Sequence, residues 1–278
     1  MQDNRPLALK LRTVFVFGLG LLASLTPFHS VSASIFNEDD RVAGANDSGS
    51  LDSIGIVRET LRGGYATVFL VGECYALSAK HVVHNPEPVG RPVTLRFELW
   101  ERASASNSTK GVVVAAGGQP EGIGDVSKDW ILIRLDRCLG RSLGYLTLSE
   151  DVLQIPGSGQ ITPSLRAVGY PRDRPLSSHP TVDPACRVKL ISSYGLLHDC
   201  ATLPGNSGGP LLGWNSKRQQ LQVFAINVAG YDDHLPRSFD QNRANAAVAV
   251  QPIIAILALF DKPSKQFVTP GRLLNEAP

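Results

Sequence analysis

The chain has 278 residues, with 27 Lys+Arg against 25 Asp+Glu and a net charge of +2. That charge is spread without basic blocks, which gives no electrostatic case for a nucleic-acid partner or an anionic membrane surface. Hydrophobic content of 43% with 26 Gly and 19 Pro suits short strands joined by many turns.

The amino-terminal residues read as an address. Arg5, Lys10 and Arg12 precede an apolar run over 13–25, and Val31-Ser32-Ala33 supplies small residues for cleavage. This pattern predicts a secretory signal peptide over 1–33, cut after Ala33. The apolar run is short for a membrane span, and no other segment approaches 18 apolar residues. The mature chain is therefore expected to be secreted or periplasmic, with no membrane association once the signal is removed. About 245 residues then remain, room for one large all-β domain or two small ones. Four cysteines in an exported chain favour disulfides over metal ligands, although free buried thiols stay open.

Residues 34–50 form a polar, glycine-containing amino-terminal extension, and the main domain is expected over 51–262 with a tail over 263–278. Ile54, Ile56 and Val57, then 66–71, then 75–77 are β-rich runs broken by Gly55, Gly63-Gly64 and Gly72. Residues 95–100 alternate apolar with charged side chains, the period-two signature of a half-buried strand. Residues 112–114 and a run opening at Asp129 complete a first strand set over roughly 51–150. After a connector at 157–164, a second set over roughly 160–250 comprises 167–171, 188–190, 195–198, 210–212, 221–228 and 246–250. Residues 251–261 predict the one long helix, apolar at Ile253, Ile254, Ile256, Leu257 and Phe260.

Three stretches carry chemistry. Gly205-Asn206-Ser207-Gly208-Gly209-Pro210 holds a serine in a run that can continue neither a helix nor a long strand. Glycines there let the backbone approach a substrate, with the amides of Gly205 and Ser207 free to point at one spot beside the hydroxyl. A nucleophilic serine needs a base, and His81 ends an apolar strand-like run. His84 competes with it but sits in a turn before Pro86. The base needs an acid to orient it. Asp129 stands directly before an alternating apolar run, unlike its rivals Asp125 and Asp136. The same glycine run also fits the Gly-x-Ser-x-Gly elbow of α/β-hydrolases, but that fold wants a helix after the serine and a downstream acid and histidine. Pro210 and the strand-like residues behind it do not provide them.

In the order His81, Asp129, Ser207 these motifs resemble the trypsin-like serine proteases of the chymotrypsin fold, specifically the bacterial branch that includes the glutamyl endopeptidases. The resemblance runs from about Asp39 to Phe260. It implies an all-β fold of two six-stranded antiparallel Greek-key β-barrels with a carboxy-terminal helix, the site lying in the cleft between barrels. It implies Ser207 as nucleophile, His81 as general base, Asp129 as its orienting acid, and the Gly205 and Ser207 amides as the oxyanion hole. No metal or organic cofactor is implied, and the partner is a polypeptide substrate met by a monomer.

The resemblance also assigns a specificity pocket to Ala201, Thr202, Asn227, Val228 and Gly230. Ala201 stands where an acid would select Arg or Lys. Thr202 fits glutamyl endopeptidases, whereas Asn227 stands where their histidine binds a substrate carboxylate. A small, polar or apolar residue before the scissile bond is therefore expected, with Val228 and Gly230 offering backbone bonds to an extended peptide. Asn206 replaces the acid that pairs with the freed amino terminus in trypsin-like zymogens, so cleavage at Arg41–Val42 is not expected to act as a switch. Related bacterial proteases show a disulfide like one between Cys186 and Cys200, which leaves Cys74 and Cys138 as a second pair. The rival function is a protease-fold binding protein without catalysis. Retention of His81, Asp129 and Ser207 together argues against it.

Overall fold

Runs of β-branched and aromatic residues punctuated by glycine fold here as strands that close on themselves twice. The computed structural model describes residues 34–44, 50–59, 64–83, 85–97, 107–122, 124–153, 164–176, 179–230 and 233–260. The expected signal peptide, most of the connector and the tail lie outside them.

Two short strands come first, β1 (Ser34–Phe36) and β2 (Val42–Ala43), both paired with elements far along the chain. Six strands then make a closed antiparallel barrel: β3 (Ile54–Glu59), β4 (Ala66–Gly72), β5 (Tyr75–Ser78), β6 (Pro92–Phe97), β7 (Ser108–Ala116) and β8 (Ile131–Leu135). Their order around the barrel is β3-β4-β5-β8-β7-β6. The chain leaves β5, crosses past two strands to start β6, and returns by hairpins to β8, a Greek-key path. β4 is buried at all seven positions, while β6 alternates exposed and buried as its period-two pattern predicts. Ile54, Val68, Phe69, Leu70, Leu77, Phe97 and Ile131 are fully enclosed, each stabilising the barrel by about 1.5–3 kcal/mol relative to exposure.

After the short helix α1 (Gly140–Leu143), the second half contributes β9 (Leu165–Gly169), β10 (Thr181–Cys186), β11 (Val188–Ser192), β12 (Gly195–His198), β13 (Pro210–Asn215), β14 (Gln220–Ala229), β15 (Asp233–Arg237) and β16 (Asn245–Ala249). β15 pairs in parallel with β1, and the others form one sheet in the order β11-β12-β16-β14-β13-β9-β10-β2. Only Arg187 separates β10 from β11, so the first and the next-to-last members of this sheet belong to one bent strand. Counted that way, the sheet is a second six-stranded barrel, with β2 added at an edge. Cys186 stands at the bend, disulfide-bonded to Cys200, and Cys74 is disulfide-bonded to Cys138 beside the β5–β8 pair.

Sequence reading missed β10. Asp183 and Pro184 interrupt its apolar pattern, and proline is tolerated here because the β9–β10 register shifts between Asp183 and Cys186. Nor do residues 34–44 stand apart from the domain. β1 and β2 are stitched into the second half, and Arg41 lies buried between Asp39 (2.7 Å) and Asp173 (2.9 Å). The closing helix α2 (Gln251–Phe260) buries Ile253 and ends against the first barrel, where Tyr75 Oη donates to the Phe260 carbonyl at 3.0 Å. Among the described residues no helix is long and apolar enough to cross a membrane.

Candidate active site

β5 and β8 are antiparallel neighbours with Ser78 opposite Ile131. The residues that overrun this pair therefore emerge at one rim of the barrel. His81 lies in a single 3-10 turn (Lys80–Val82) just past β5, and Asp129 lies just ahead of β8. Asp129 accepts twice from the same residue: its Oδ1 from the His81 amide at 2.9 Å, its Oδ2 from His81 Nδ1 at 2.7 Å. The two bonds fix the imidazole in position and assign its proton to Nδ1, leaving Nε2 as the acceptor. Both side chains keep partial exposure, 27% and 21%. Beside them runs a groove of about 340 Å³ between residues 80–86 and 118–129. Lys80 holds its far wall by donating to the carbonyls of Gly117 and Gly118, each at 2.9 Å.

The rival acids have other work. Asp125 is a loop staple that accepts from Ser127 Oγ and from the amides of Ser127 and Glu121. The bond from Ser127 Oγ, followed by that from the Glu121 amide, holds its carboxyl below the usual range. Asp136 is exposed at the opposite end of β8. His84 lies outside the described residues.

Ser207 belongs to the second barrel but is tied to the first. The Thr67 amide on β4 donates to the carbonyls of both Gly205 (3.0 Å) and Ser207 (2.9 Å). Thr67 Oγ1 donates to the Gly205 carbonyl at 2.8 Å and accepts from the Tyr170 amide at 3.0 Å. The Thr67 carbonyl accepts from Ser78 Oγ at 2.7 Å, three residues before His81. The serine loop and the histidine turn are thus pinned to the same point of one strand. From the other side, Gly208 donates to the Asn227 carbonyl (2.7 Å) and Asn227 to the Gly209 carbonyl (2.8 Å).

This packing explains the glycines. Gly205 and Gly208 have φ of +104° and +83°, which side chains disfavour. A Cβ at Gly205 would overlap the Tyr170 carbonyl, and one at Gly208 would overlap Ser78 Oγ and the Thr67 carbonyl. Among the described residues, the Gly205 and Ser207 amides donate to no carbonyl of the chain. Ser207 is 7% exposed, and its Oγ is turned to the Val228 carbonyl at 3.4 Å, the long limit of a hydrogen bond.

Two of the expected pocket residues touch this loop, Asn227 through Gly208 and Gly209 and Val228 through Ser207. Ala201, Thr202, Asn227 and Val228 are buried, and Gly230 directly follows β14 and is half-buried. The backbone at Ala201 is held from two sides. Asp183 accepts from the Ala201 amide, and burial pushes this carboxyl up to about 6 against the opposing pull of its two backbone donors. On the other side Ile35 packs against Ala201 and Leu203. The Thr202 amide donates to the Ser34 carbonyl at 3.1 Å, and Asn245 clasps Ser34 through its amide and carbonyl, both at 2.8 Å. Thr67, Asp183, Asn245 and the Ser34 strand were not singled out in the sequence, since each acts across the fold and none carries a local signal.

Asp183, Cys186 and Cys200 lie within 4.8 Å of one another. The two sulfurs are joined in a disulfide, so the cluster has no thiolate to offer a metal.

No protein-family model matches the chain, and no curated protein matches it. Among solved structures it is similar to a Glu endopeptidase in complex with MPD, at 17% identity and a TM-score of 0.60, over 81% of this chain and 98% of that one. The chain has the two-barrel chymotrypsin fold of that protease.

Proposed function

We propose that the protein is an exported serine endopeptidase that hydrolyses peptide bonds through an acyl-enzyme. Ser207 Oγ rotates from the Val228 carbonyl toward His81 and attacks the scissile carbonyl. His81 Nε2 takes the hydroxyl proton and then delivers it to the leaving amine. Asp129, accepting at Nδ1, keeps the imidazole in that tautomer and stabilises the imidazolium. The Gly205 and Ser207 amides receive the oxyanion of the tetrahedral intermediate, a contribution of about 3–4 kcal/mol per donor in comparable sites. Water, activated by His81, then releases the acyl group. Side chains supply the nucleophile and the base, backbone amides supply the electrophilic donors, and the groove beside His81 leaves room for a flanking substrate residue.

The observation that carries this reading is the doubly hydrogen-bonded His81–Asp129 pair sharing its anchor, Thr67, with the loop that presents Ser207. Export rests on the signal-like residues 1–33 and is consistent with two disulfides. The orientation of Ser207 Oγ toward Val228 favours the second reading, a binding protein of the same fold with a silent serine.

One experiment separates the two. Mature protein is labelled with a fluorophosphonate probe beside Ser207→Ala and His81→Ala. Rapid labelling abolished by both substitutions supports the peptidase. A folded wild type that does not label refutes it and leaves the binding role.

A further inference from the structure

Basic residues that lie scattered in the sequence are gathered by strand register on the outer face of the first barrel. Arg58 on β3 is opposite Thr94 on β6, and Thr94 is opposite Lys110 on β7. Directly opposed residues share a face, so these three side chains form one row across the sheet. Arg96, two residues beyond Thr94, is on the same face beside the row. Continuing the β3–β4 register past Val57 and Ala66 sets Tyr65 opposite Arg58. The Arg58 guanidinium accordingly lies 5.8 Å from the centre of the Tyr65 ring. A second guanidinium, that of Arg172 from the other half of the chain, lies over the same ring, also at 5.8 Å.

The row is cationic and not neutralised by the fold. Arg58, Lys110 and Arg172 are exposed, and Arg96 is half-buried. Among the described residues none of the four forms an ion pair. Asp173, next to Arg172 in the chain, is engaged by Arg41 at 2.9 Å and Arg174 at 3.9 Å. Asp136 stands at the far end, where its amide donates to the Lys110 carbonyl but its carboxylate does not pair with the lysine. Two guanidiniums held at one ring repel each other. Stacking on an aromatic face orients them and leaves their N–H edges free to meet a carboxylate.

The row starts near the joint that anchors the serine loop. Thr67 is two residues from Tyr65 and on the same face of β4, and its amide holds the Gly205 and Ser207 carbonyls. The Arg172 amide donates to the Pro204 carbonyl at 2.7 Å. On the loop's other side β14 bonds Gly208 and Gly209 through Asn227, and Val228 and Gly230 there are the expected bed for the acyl side of an extended peptide. A peptide bedded on β14 leaves Ser207 on the side of Thr67 and Tyr65. From Tyr65 to Lys110 is a span of three strand spacings, about 14 Å, or about four extended residues. Neutral Thr94 and aromatic Tyr65 separate the cations, so the row presents single spaced charges that suit an acidic peptide rather than a uniformly charged polymer.

Resting on the peptidase reading above, we propose that Arg172, Arg58, Arg96 and Lys110 form a docking surface, outside the catalytic cleft, for an acidic segment of the polypeptide substrate that follows the scissile bond. The first carboxylate meets the paired guanidiniums at Tyr65, about three residues after that bond, and later ones meet Arg96 and Lys110. The surface recruits substrate by charge and takes no part in the bond-breaking steps.

The test uses fluorescent peptides that share a small apolar residue before the scissile bond and differ only in a tail of about four Asp or four Asn residues after it. Anisotropy gives Kd on Ser207→Ala, where no turnover is needed, and KM and kcat are read on the wild type. Each exposed ion pair is worth about 1.4- to 5-fold, so the Asp tail should lower Kd and KM by about tenfold with kcat within about twofold. The advantage should vanish at about 0.5 M salt. Placed in the Ser207→Ala background, the pair Arg58→Gln and Lys110→Gln, and separately Arg172→Gln, should shrink the Kd ratio between tails to within about threefold of unity; the ratio does not depend on the folded fraction. Tails that bind Ser207→Ala equally overturn the proposal, and so does an Asp advantage that both sets of substitutions leave intact. Binding of inorganic polyphosphate without any preference for the Asp tail also overturns it, assigning the row to a polyanion that is not protein. A wild type that does not label with fluorophosphonate overturns the peptidase reading instead, while the Kd ratio still decides whether the row docks acidic peptide.

Discussion

Thr67→Val replaces a hydroxyl by a methyl of nearly the same size at the joint between the barrels. The Thr67 hydroxyl now donates to the Gly205 carbonyl at 2.8 Å and accepts from the Tyr170 amide at 3.0 Å. In the variant the Gly205 carbonyl keeps the Thr67 amide at 3.0 Å, but the Tyr170 amide is left buried with no acceptor. One orphaned buried donor costs about 1–3 kcal/mol, with no added cavity cost because volume is conserved. For a domain of this size each kcal/mol lowers Tm by about 2–4 °C, so a fall of about 2–12 °C is expected. The same bond aims the Gly205 peptide, and misplacing a catalytic group by about 1 Å costs up to about 10²-fold in rate. We expect kcat to fall about 10- to 100-fold with KM within about twofold, because the donors concerned act on the oxyanion rather than on ground-state binding. Thermal melts and peptide hydrolysis, both read well below the variant's Tm, check the two effects. A lowered Tm with full kcat would refute the idea that Thr67 aims the serine loop.

Three further perturbations follow from the packing. The Asp183 carboxyl is raised to about 6 from 3.8, so its stabilising contribution is full below pH 3.8 and lost as pH rises through 6. His198 is lowered to about 4 from 6.5, so its contribution is present above pH 6.5 and lost as pH falls through 4. Each swing amounts to about 3 kcal/mol and they oppose one another. Urea melts from pH 4 to 7 should therefore show Asp183→Asn losing stability toward acid relative to wild type, and His198→Gln gaining it; identical slopes in all three would dismiss the assignment. Gly208→Ala puts a Cβ into Ser78 Oγ and the Thr67 carbonyl at a φ of +83°, and should cut kcat/KM by at least about 10²-fold; near-normal activity would mean that the loop tolerates displacement. Replacing both Cys186 and Cys200 by serine opens a loop with a sequence separation of 14, costing about 3 kcal/mol; an unchanged urea midpoint would show the bend to be held by the strands alone.

What the sequence disclosed and what it withheld divide by range. His81 and Asp129 were legible because one follows and the other precedes a recognisable apolar run, and antiparallel pairing of those runs carries both to one rim. The serine loop was legible because Gly205 and Gly208 occupy backbone conformations that favour glycine. β10 was hidden by Asp183 and Pro184, whose places in a strand make sense only once the register shift and the Ala201 amide are seen. Thr67 looked like any β-branched strand former; the clue was a hydroxyl within a run otherwise buried and apolar. The clasp between Ser34 and Asn245 joins residues 211 positions apart, and polar side chains at such separations leave no periodic trace.

The central claim is that Ser207 is activated by His81 to form a covalent acyl-enzyme. It is tested most directly by intact-mass and peptide-mapping analysis of the protein quenched during turnover of an activated ester, beside His81→Ala and Asp129→Asn. The account predicts one acyl group per chain, located on Ser207 in the wild type. It should be absent in His81→Ala and should form about 10⁴-fold more slowly in Asp129→Asn, where the histidine tautomer is no longer fixed. Acylation elsewhere, or acylation of Ser207 that is indifferent to His81, would contradict it.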